Sequence, residues 1–504
     1  MIDLFAGPGG LGEGFASLRS TDGHHHFRIA LSIEKDPAAH ETLELRAFFR
    51  QFARGSPPAQ YYAHLRGELS RAALFAAFRR QAQAAQQEAW LAELGAEDEA
   101  LVNRRIRAAL GGAARWVLIG GPPCQAYSVV GRARNSANPS YKPENDSRHT
   151  LYLQYLKIIA ELWPPVFVME NVIGLLSARL HDQRLFERIL RDLITPAASV
   201  RRGGSGRRSH TYRIVALTPQ RSLFGFEPGD YIVRAERHGV PQARHRLILV
   251  GVRDDLSGAQ IPYLQDTDPI PAHEVLDDLP RIRSGLTGGH DSPDGWIRTL
   301  TDIRNADWVG AASSRSALAK EIEANIGALS RPRADLGKEF IRHESQPGYR
   351  ADWFVDKKLG GVCNHFSKSH MQEDLHRYFF AACFARVYGR SPTLVDFPLA
   401  LRPAHANVSR ALGGKMFADR FRVQLEQRPA TTITSHISRD GHYYIHYDPT
   451  QCRTLSVREA ARLQTFPDNY LFCGNRTAQY HQVGNAVPPL LALEIARSVA
   501  ALFT

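Results

Sequence analysis

Cysteine is scarce in this chain, and the cysteines that occur are far apart. The 504 residues include five of them, Cys124, Cys363, Cys383, Cys452 and Cys473, and no two form a CxxC pair. This spacing fits neither a disulfide framework nor a zinc cluster, so we predict free thiols in a reducing cytoplasm and no metal site. A free cysteine is usually a small buried hydrophobic residue unless its surroundings activate the thiol.

Long apolar runs are absent as well. No stretch approaches the roughly 20 residues that span a bilayer. The first ten residues, MIDLFAGPGG, show neither the basic start nor the apolar stretch of a secretory signal. Because this segment already resembles a strand and a turn, we expect no targeting domain in front of it. The sequence predicts a cytoplasmic protein without membrane contact.

The charge is strongly one-sided. Lysine and arginine exceed aspartate and glutamate, which gives a formal net charge of +12, while 43% of the residues are hydrophobic and 23% charged. Such an excess favours an anionic partner, and nucleic acid is the commonest large one. Charge alone does not separate this interpretation from an ordinary basic surface, nor DNA from RNA.

The pattern along the chain predicts an α/β fold with a mixed, mostly parallel sheet. Short apolar strands alternate with helices up to Arg253, and a segment rich in Ala, Arg, Gln and Glu at about 70–114 indicates a helical insertion. Residues 254–427 are irregular and rich in Pro, Gly, His and Arg, which predicts a second, smaller domain. Residues 428–504 end in two predicted helices and are expected to complete the first domain.

A glycine turn follows the first predicted strand. Gly7, Gly9 and Gly10 permit close approach of the backbone to a ligand at the carboxyl end of that strand. The turn does not have the Lys-Ser/Thr pair of a phosphate-binding loop, so a nucleoside triphosphate is not expected. Glu34 ends the next strand, where it could accept hydrogen bonds from ribose hydroxyls. A glycine turn alone is a weak signal.

Three further short stretches carry chemistry. GGPPCQAYS holds Cys124 directly behind two prolines, and VFVMENV places Glu170 at the end of an apolar strand. A carboxyl group buried there would have a raised pKa and could donate a proton at neutral pH. In QARHR, Arg244 and Arg246 share one face of an extended chain with Gln242, an arrangement that suits an anion or a base edge as well as a solvated strand.

These stretches belong to six blocks that occur in order: DLFAGPGGL, GGPPCQAYS, MENVIGLL, GVPQARHRLILVG, LSVREAARLQTFPD and QVGNAVPP. Together they closely resemble the signature blocks of DNA (cytosine-5) methyltransferases, over residues 1–253 and 428–504. The resemblance implies a Rossmann-like domain that uses S-adenosylmethionine, joined to a target-recognition domain at 254–427. One departure is Val457, which stands where the family usually has proline.

The resemblance assigns catalytic roles to four residues. Cys124 matches the nucleophile that attacks carbon 6 of cytosine and so activates carbon 5 for methylation. Glu170 matches the carboxyl group that hydrogen-bonds ring nitrogen 3 and the amino group. Arg244 and Arg246 match the arginines that hold the cytosine oxygen, the glutamate and a nearby phosphate, whereas Gln242 matches an accompanying structural position. The other four cysteines are interpreted as inert.

The resemblance also assigns the cofactor pocket. The residues that match it come from these blocks and, for Glu34 and Leu151, from stretches between them; they are Phe5, Gly7, Gly9, Gly10, Leu11, Glu34, Pro122, Leu151, Asn485, Ala486 and Val487. Glu68 in LRGEL is a weaker match to an acid beside the adenine amino group, because the insertion that follows obscures the alignment.

Duplex DNA is the implied partner, and the target cytosine would have to leave the base stack. Residues 254–427 contain basic candidates for phosphate or base contacts, namely Arg331, Arg333, Lys357, Lys358, Lys368 and Arg420. Without chromatin-type modules, the chain is expected to serve bacterial restriction-modification or phage defence. A tRNA cytosine methyltransferase and an inactive DNA-binding relative remain the alternatives. The long variable region disfavours the first, and the intact Cys124, Glu170 and Arg246 disfavour the second.

Overall fold

In the computed structural model the chain divides into two units, each built from separated stretches of sequence. The structure describes residues 1–52, 56–123, 151–180, 183–200, 209–221, 225–256, 258, 260–288, 291–312, 316–403, 420–439 and 441–503. Unit 1 consists of residues 1–57, 75–268 and 486–504, and unit 2 of residues 58–74 and 269–485. Within the described ranges, none of the helices is both long and apolar enough to cross a bilayer.

The strands and helices have the following bounds in chain order. The strands are β1 (Ile2–Leu4), β2 (Leu31–Glu34), β3 (Ala89–Leu91), β4 (Val117–Gly120), β5 (Val166–Val172), β6 (Arg179–Leu180), β7 (Gln183–Arg184), β8 (Tyr212–Val215), β9 (Ile232–Arg234), β10 (Gln242–Ala243), β11 (His245–Arg253), β12 (Gly285–Leu286), β13 (Gly337–Arg342), β14 (Gly361–Phe366), β15 (Ser369–His370) and β16 (Ala430–Thr431). The helices are α1 (Gly10–Ser17), α2 (Pro37–Arg50), α3 (Ala59–Leu65), α4 (Arg71–Ala77), α5 (Arg79–Glu88), α6 (Glu99–Leu110), α7 (Leu151–Leu162), α8 (Leu185–Ile194), α9 (Pro196–Val200), α10 (His273–Leu276), α11 (Pro293–Thr301), α12 (Asp307–Ala312), α13 (Ser316–Gly327), α14 (Ala351–Phe354), α15 (Gln372–Tyr388), α16 (Val457–Leu463), α17 (Arg476–Asn485) and α18 (Pro489–Ala500).

An eight-stranded sheet forms the centre of unit 1, in the order β3-β2-β1-β4-β5-β11-β8, with β9 also paired to β11. The first five strands are parallel, whereas β11 runs antiparallel to β5, β8 and β9. The parallel strands are short apolar runs because helices cover both faces of such a sheet. The prediction of a mostly parallel α/β sheet is confirmed.

The first and last helices of unit 1 pack against each other at a glycine. A Cβ atom on Gly14 of α1 would lie 2.3 Å from the backbone oxygen of Pro489 and 2.4 Å from Cβ of Ala492 in α18. Only a residue without a side chain permits this approach, so Gly14 sets the distance between the two helices.

The predicted helical insertion at 70–114 contains α4, α5 and α6, together with a strand that the sequence did not predict. The three residues of β3 follow α5 directly and pair in parallel with β2, Ile33 lying opposite Trp90. Composition favoured a helix here, but pairing with the open edge of β2 extends the chain instead.

Unit 2 includes parts of the chain that were expected in the first domain. Tyr62 of α3 donates a hydrogen bond to Asp356, with Oη 2.9 Å from Oδ2. In α16, Arg462 binds Asp468 at 2.6 Å and Asp278 at 3.1 Å. These contacts hold 58–74 and 457–463 inside unit 2, so the units divide the chain at other places than the predicted boundaries 253/254 and 427/428. Which unit performs which function stays a prediction.

The departure at Val457 leaves the start of α16 intact. Ser456 caps the helix, and its hydroxyl and the Glu459 carboxylate form a reciprocal capping box. Val457 therefore occupies the first helical position, which proline also favours, and its side chain is buried.

Candidate active site

The sheet of unit 1 brings several predicted site residues to one edge. Because β1, β2, β4 and β5 are parallel, the glycine turn at 5–11, Glu34, Gly121 and Glu170 all lie at their carboxyl ends. β11 runs in the opposite direction, so Arg246, near its start, lies at the same edge. The chain order reverses between β1 and β4, and ligands of such sheets bind at this kind of switch point.

The glycine turn after β1 is sharply curved. Phe5, Gly7 and Gly9 have φ angles of 56°, 57° and 95°, in the left-handed region. A Cβ atom built on Gly7 would meet no other atom within 4 Å, so the turn borders open space. Leu11, two residues after the N-cap Gly9, is buried in α1. The turn therefore leaves the Gly7 backbone partly accessible, while α1 anchors its other end.

Glu34 is bonded to this turn. Its Oε2 atom accepts a hydrogen bond from the backbone N–H of Gly7 at 2.7 Å, and its Oε1 atom accepts from Lys35 at 2.9 Å and Asp36 at 2.8 Å. Burial raises the pKa of Glu34, and the three hydrogen bonds oppose that shift. The carboxylate thus fixes the glycine turn to the end of β2 and keeps lone pairs for further donors.

Glu170 and Arg246 form an ion pair at the ends of β5 and β11. Arg246 Nε lies 2.8 Å from Glu170 Oε1, and the two side chains are 12% and 13% exposed. Burial lowers the pKa of Arg246, and the Glu170 carboxylate opposes that shift. A Cβ atom on Gly121 would lie 2.9 Å from Glu170 Oε2, so the glycine makes room for the acid. The pair holds a carboxyl group and a guanidinium group side by side next to the turn that leads to Cys124.

Asn171 holds that turn in place, a role the sequence did not reveal. Its Nδ2 atom donates to the backbone oxygen of Pro122 at 3.2 Å, and its Oδ1 atom accepts from Val172 N at 2.8 Å. The end of β5 is therefore bonded to the chain just before Cys124. Cys124 itself lies outside the described residues, so its predicted position is not tested.

Arg244 occupies a different environment from Arg246. Its side chain is buried, and Nη2 donates to the backbone oxygen of Ala486 at 2.8 Å. Of the two sequence neighbours of Ala486, Val487 is buried, and Asn485 is exposed at the end of α17 in unit 2. The structure thus joins Arg244 to the turn before α18, and it is Arg246 that contacts Glu170.

The two remaining predicted cofactor residues, Glu68 and Leu151, lie in different units. Glu68 is exposed in unit 2, where Arg66 binds it at 2.9 Å and lowers the pKa of its carboxyl group. Leu151 is the half-buried first residue of α7 in unit 1.

The basic candidates of unit 2 fall into two groups. Lys368 donates to the backbone oxygen of Ile437 and lies 4.2 Å from the ring centre of Tyr480, and Arg331 is paired with Asp294. These two side chains have contacts within the unit. The others are exposed or half-buried and remain predicted DNA contacts; they are Arg333, Lys357, Lys358 and Arg420.

Three of the remaining cysteines are buried, as the sequence predicted. Cys363, Cys383 and Cys452 are inaccessible, whereas Cys473 is half-buried. Burial raises the pKa of the Cys363 thiol to about 12 and that of Cys452 above its usual range, so neither forms a thiolate at neutral pH.

Comparison with known proteins agrees with this geometry. A profile of the C-5 cytosine-specific DNA methylase family matches residues 112–195 and 222–501. The chain is 30% identical to the type II methyltransferase M.Bpa9945I of Bacillus paralicheniformis, over 99% of this chain and 98% of that protein. It is 26% identical to the DNA (cytosine-5-)-methyltransferase M.ApeKI of Aeropyrum pernix, over 76% of this chain and 81% of that protein.

A solved structure supports the fold. A putative DNA modification methyltransferase encoded within an E. coli prophage superimposes with a TM-score of 0.50, at 18% identity, over 100% of this chain and 98% of that one. The family profile covers most of the chain, and M.Bpa9945I matches nearly all of it. The chain therefore belongs to the C-5 cytosine-specific DNA methylases, enzymes that methylate cytosine in DNA.

Proposed function

We propose that the enzyme transfers the methyl group of S-adenosylmethionine to carbon 5 of a cytosine within a specific sequence of double-stranded DNA, through a covalent adduct of Cys124. The observation that carries this proposal is the Glu170–Arg246 pair beside the turn that leads to Cys124. An acid and a guanidinium group placed together can bind the polar edge of a cytosine ring, and a nucleophile next to them can reach its carbon 6.

The residues at the sheet edge fit the cofactor. The open space at Gly7 accommodates a ligand against the backbone, and Glu34 retains acceptor capacity for ribose hydroxyls. When bound, S-adenosylmethionine supplies an electrophilic methyl group. Its proposed pocket comprises Phe5, Gly7, Gly9, Gly10, Leu11, Glu34, Pro122, Leu151, Asn485, Ala486 and Val487. Glu68 is proposed as a further, weaker member, because Arg66 already binds its carboxylate.

The proposed reaction uses the chain's own groups in sequence. The Cys124 thiolate forms a bond to carbon 6 as the double bond between carbons 5 and 6 opens. Glu170, held in its protonated form by the bound cytosine, donates a hydrogen bond to ring nitrogen 3, so electron density moves to carbon 5. Carbon 5 then takes the methyl group of S-adenosylmethionine, whose bond from sulfur to the methyl carbon breaks and leaves S-adenosylhomocysteine. A base removes the hydrogen of carbon 5, and the carbon–sulfur bond breaks to release the thiolate and 5-methylcytosine. Arg246 keeps Glu170 oriented toward the ring and binds the cytosine oxygen.

Access to the cytosine requires base flipping. The target carbon is covered by neighbouring bases in the duplex, and unstacking costs a few kcal/mol. Contacts from basic residues to phosphates and bases would offset that cost, and the net charge of +12 suits such a surface. We assign target recognition to residues 254–427.

We place the enzyme in restriction-modification or phage defence. M.Bpa9945I is named a type II methyltransferase, and its alignment with this chain covers 98% of its length. Methylation of a specific site would protect host DNA from a nuclease that cuts the same sequence.

The test is methyl transfer and adduct formation by the purified full chain. With tritiated S-adenosylmethionine, we expect label in duplex DNA and none in tRNA. Duplex containing 5-fluorocytosine should form a denaturant-stable adduct, because fluorine at carbon 5 cannot leave as a proton. Cys124→Ser should abolish both, and the matched control Cys473→Ser, which removes the half-buried thiol, should retain both. Labelled tRNA with silent DNA would overturn the DNA assignment, and DNA binding without transfer would indicate an inactive relative.

A further inference from the structure

Four charged side chains form a buried cluster in unit 1 that takes no part in the proposed reaction. Glu13 accepts hydrogen bonds from Arg46 Nε at 3.0 Å and Nη2 at 2.5 Å, and from Arg50 Nη1 at 3.3 Å. The other arm of Arg50, Nη2, donates to Glu88 Oε1 at 2.6 Å, and Gln51 Nε2 donates to Glu88 Oε2 at 3.1 Å. We call Glu13, Arg46, Arg50 and Glu88 the buried charge network.

The network is almost closed to solvent and its charges balance. The side chains of Arg46, Glu13, Glu88 and Arg50 are 6%, 7%, 9% and 14% exposed, with two positive and two negative charges. Burial alone would raise the pKa of Glu13, but Arg46 and Arg50 more than offset it and leave that pKa below its usual range. Removing one member leaves an uncompensated buried charge, so each member depends on the others.

The network joins three elements, and two of them begin at the sheet edge described above. Glu13 lies in the first turn of α1, whose N-cap is Gly9 of the glycine turn, and its backbone N–H donates to Gly9 O at 2.8 Å. Arg46 and Arg50 lie in α2, whose N-cap Asp36 donates its backbone N–H to Glu34. The network therefore fixes the helix behind the glycine turn to the helix behind Glu34.

The third element is the helical insertion. Glu88 is the last residue of α5, which packs against α2. Phe48 of α2 also stacks on Phe75 at a ring-centre distance of 5.0 Å and meets Phe78 edge-on at 6.3 Å. Glu88 thus supplies from the insertion the carboxylate that balances Arg50.

We propose that the insertion is a positioning element of the cofactor site and that Glu88 is its key residue. Glu88 holds Arg50, Arg50 and Arg46 together hold Glu13, and the chain of ion pairs keeps the glycine turn in register with Glu34. Glu88 lies outside the proposed cofactor pocket, so its loss weakens cofactor binding through Arg50 and Glu13 and leaves the methyl-transfer step intact. The identity of the ligand as S-adenosylmethionine or S-adenosylhomocysteine rests on the proposed function.

The test is direct binding of S-adenosylhomocysteine to the full chain by isothermal titration calorimetry, well below the melting temperature. We expect Glu88→Gln to raise the Kd of S-adenosylhomocysteine at least fivefold. The KM for S-adenosylmethionine should rise in parallel, whereas kcat at saturating cofactor should stay within twofold of wild type. The matched control is Glu99→Gln in α6 of the same insertion, which removes an exposed ion pair with Lys157 and should leave the Kd unchanged. A merely structural role for Glu88 would lower the melting temperature without this split between KM and kcat.

A second variant, at Arg50, keeps the positive charge but removes the paired hydrogen bonds that link Glu13 to Glu88. Arg50→Lys retains the positive charge but cannot reach Glu13 and Glu88 with two arms. It should weaken binding as Glu88→Gln does, and the double variant should lose less than the product of the single effects, because both break the same link. Equal Kd values for wild type and both variants would overturn the proposal.

Hydrogen exchange tests the proposal on the wild-type chain alone, so the result does not depend on whether a variant folds. Binding of S-adenosylhomocysteine should slow exchange of the backbone amides in residues 79–88 as well as in 9–17. Slower exchange in 9–17 alone would overturn the role of the insertion. No binding by wild type at all would instead refute the proposed function.

Discussion

Arg246 and Glu170 lie diagonally across two antiparallel strands, with Nε 2.8 Å from Oε1. The residue directly opposite Arg246 is Val172, two positions after Glu170, so the two side chains occupy the same face of the sheet. Neither side chain could hold this position alone, because each is largely buried and the partner balances its charge.

The first prediction concerns the reacting acid. Glu170→Gln keeps a hydrogen-bonding group next to Arg246 but cannot release a proton to the ring. We expect kcat to fall about 10²-fold or more in a tritium-transfer assay, with S-adenosylhomocysteine binding unchanged. Arg246→Met should give a loss of similar size, whereas Arg213→Met, on the exposed face of β8, serves as a control and should stay near wild type. Turnover within threefold of wild type for Glu170→Gln would rule out its proposed role.

The second prediction concerns the turn before Cys124. Asn171→Ala removes the donor to Pro122 O, so the nucleophile is held less accurately. We expect formation of the 5-fluorocytosine adduct to slow about tenfold. Asn103→Ala, at a half-buried asparagine of α6, is the control. Unchanged adduct kinetics in Asn171→Ala would show that this hydrogen bond does not position Cys124.

The third prediction concerns pH and the buried Asp3 of β1. Burial raises the pKa of Asp3 from 3.8 to about 8, with Arg50 opposing the shift. Between about pH 4 and pH 8 the folded chain therefore holds a proton on Asp3 that the unfolded chain releases. As the pH rises through this range, the free energy of unfolding falls by at most about 1.4 kcal/mol per pH unit. Asp3→Asn removes this dependence. Urea unfolding should show the variant gaining stability relative to wild type as the pH rises toward 8; parallel pH profiles would contradict the buried acid.

The fourth prediction separates the two arginines of QARHR. Arg244→Met removes the donor to Ala486 O, which lies at the turn before α18. We expect the Kd of S-adenosylhomocysteine to rise about tenfold, since a hydrogen bond from a charged group is lost. The Arg246→Met variant provides the comparison, because it should affect turnover instead. If Arg244→Met instead lost turnover and kept its cofactor affinity, Arg244 would be a cytosine contact, as the resemblance implies.

Much of the sheet edge could be predicted from the sequence, because each strand there is a local apolar run followed by a polar or glycine residue. Glu34 and Glu170 could be placed in this way, and the resemblance added Arg246. The contact between Asn171 and Pro122 could not, since it depends on how β4 and β5 pair. The short strand β3 could not be predicted for a similar reason, because its three residues are extended only through their pairing with β2.

The buried charge network was equally hidden from the sequence. Glu13 and Glu88 are far apart in the chain, and each alone looks like an ordinary helical glutamate. Only the packing of α1, α2 and α5 shows that both balance Arg50. The placement of 58–74 in unit 2 likewise follows from a long-range contact, the one between Tyr62 and Asp356.

The glycine contact between Gly14 and Pro489 has a consequence for synthesis of the protein. The helix behind the glycine turn obtains one of its packing partners from residues 489–500, which are translated long after it. A nascent chain on the ribosome can form β1 and α1 early, but the face of α1 around Gly14 stays uncovered until residues 489–500 leave the exit tunnel. Translation products interrupted before residue 489 therefore contain Glu170 and Arg246 but leave this face of α1 without its packing partner.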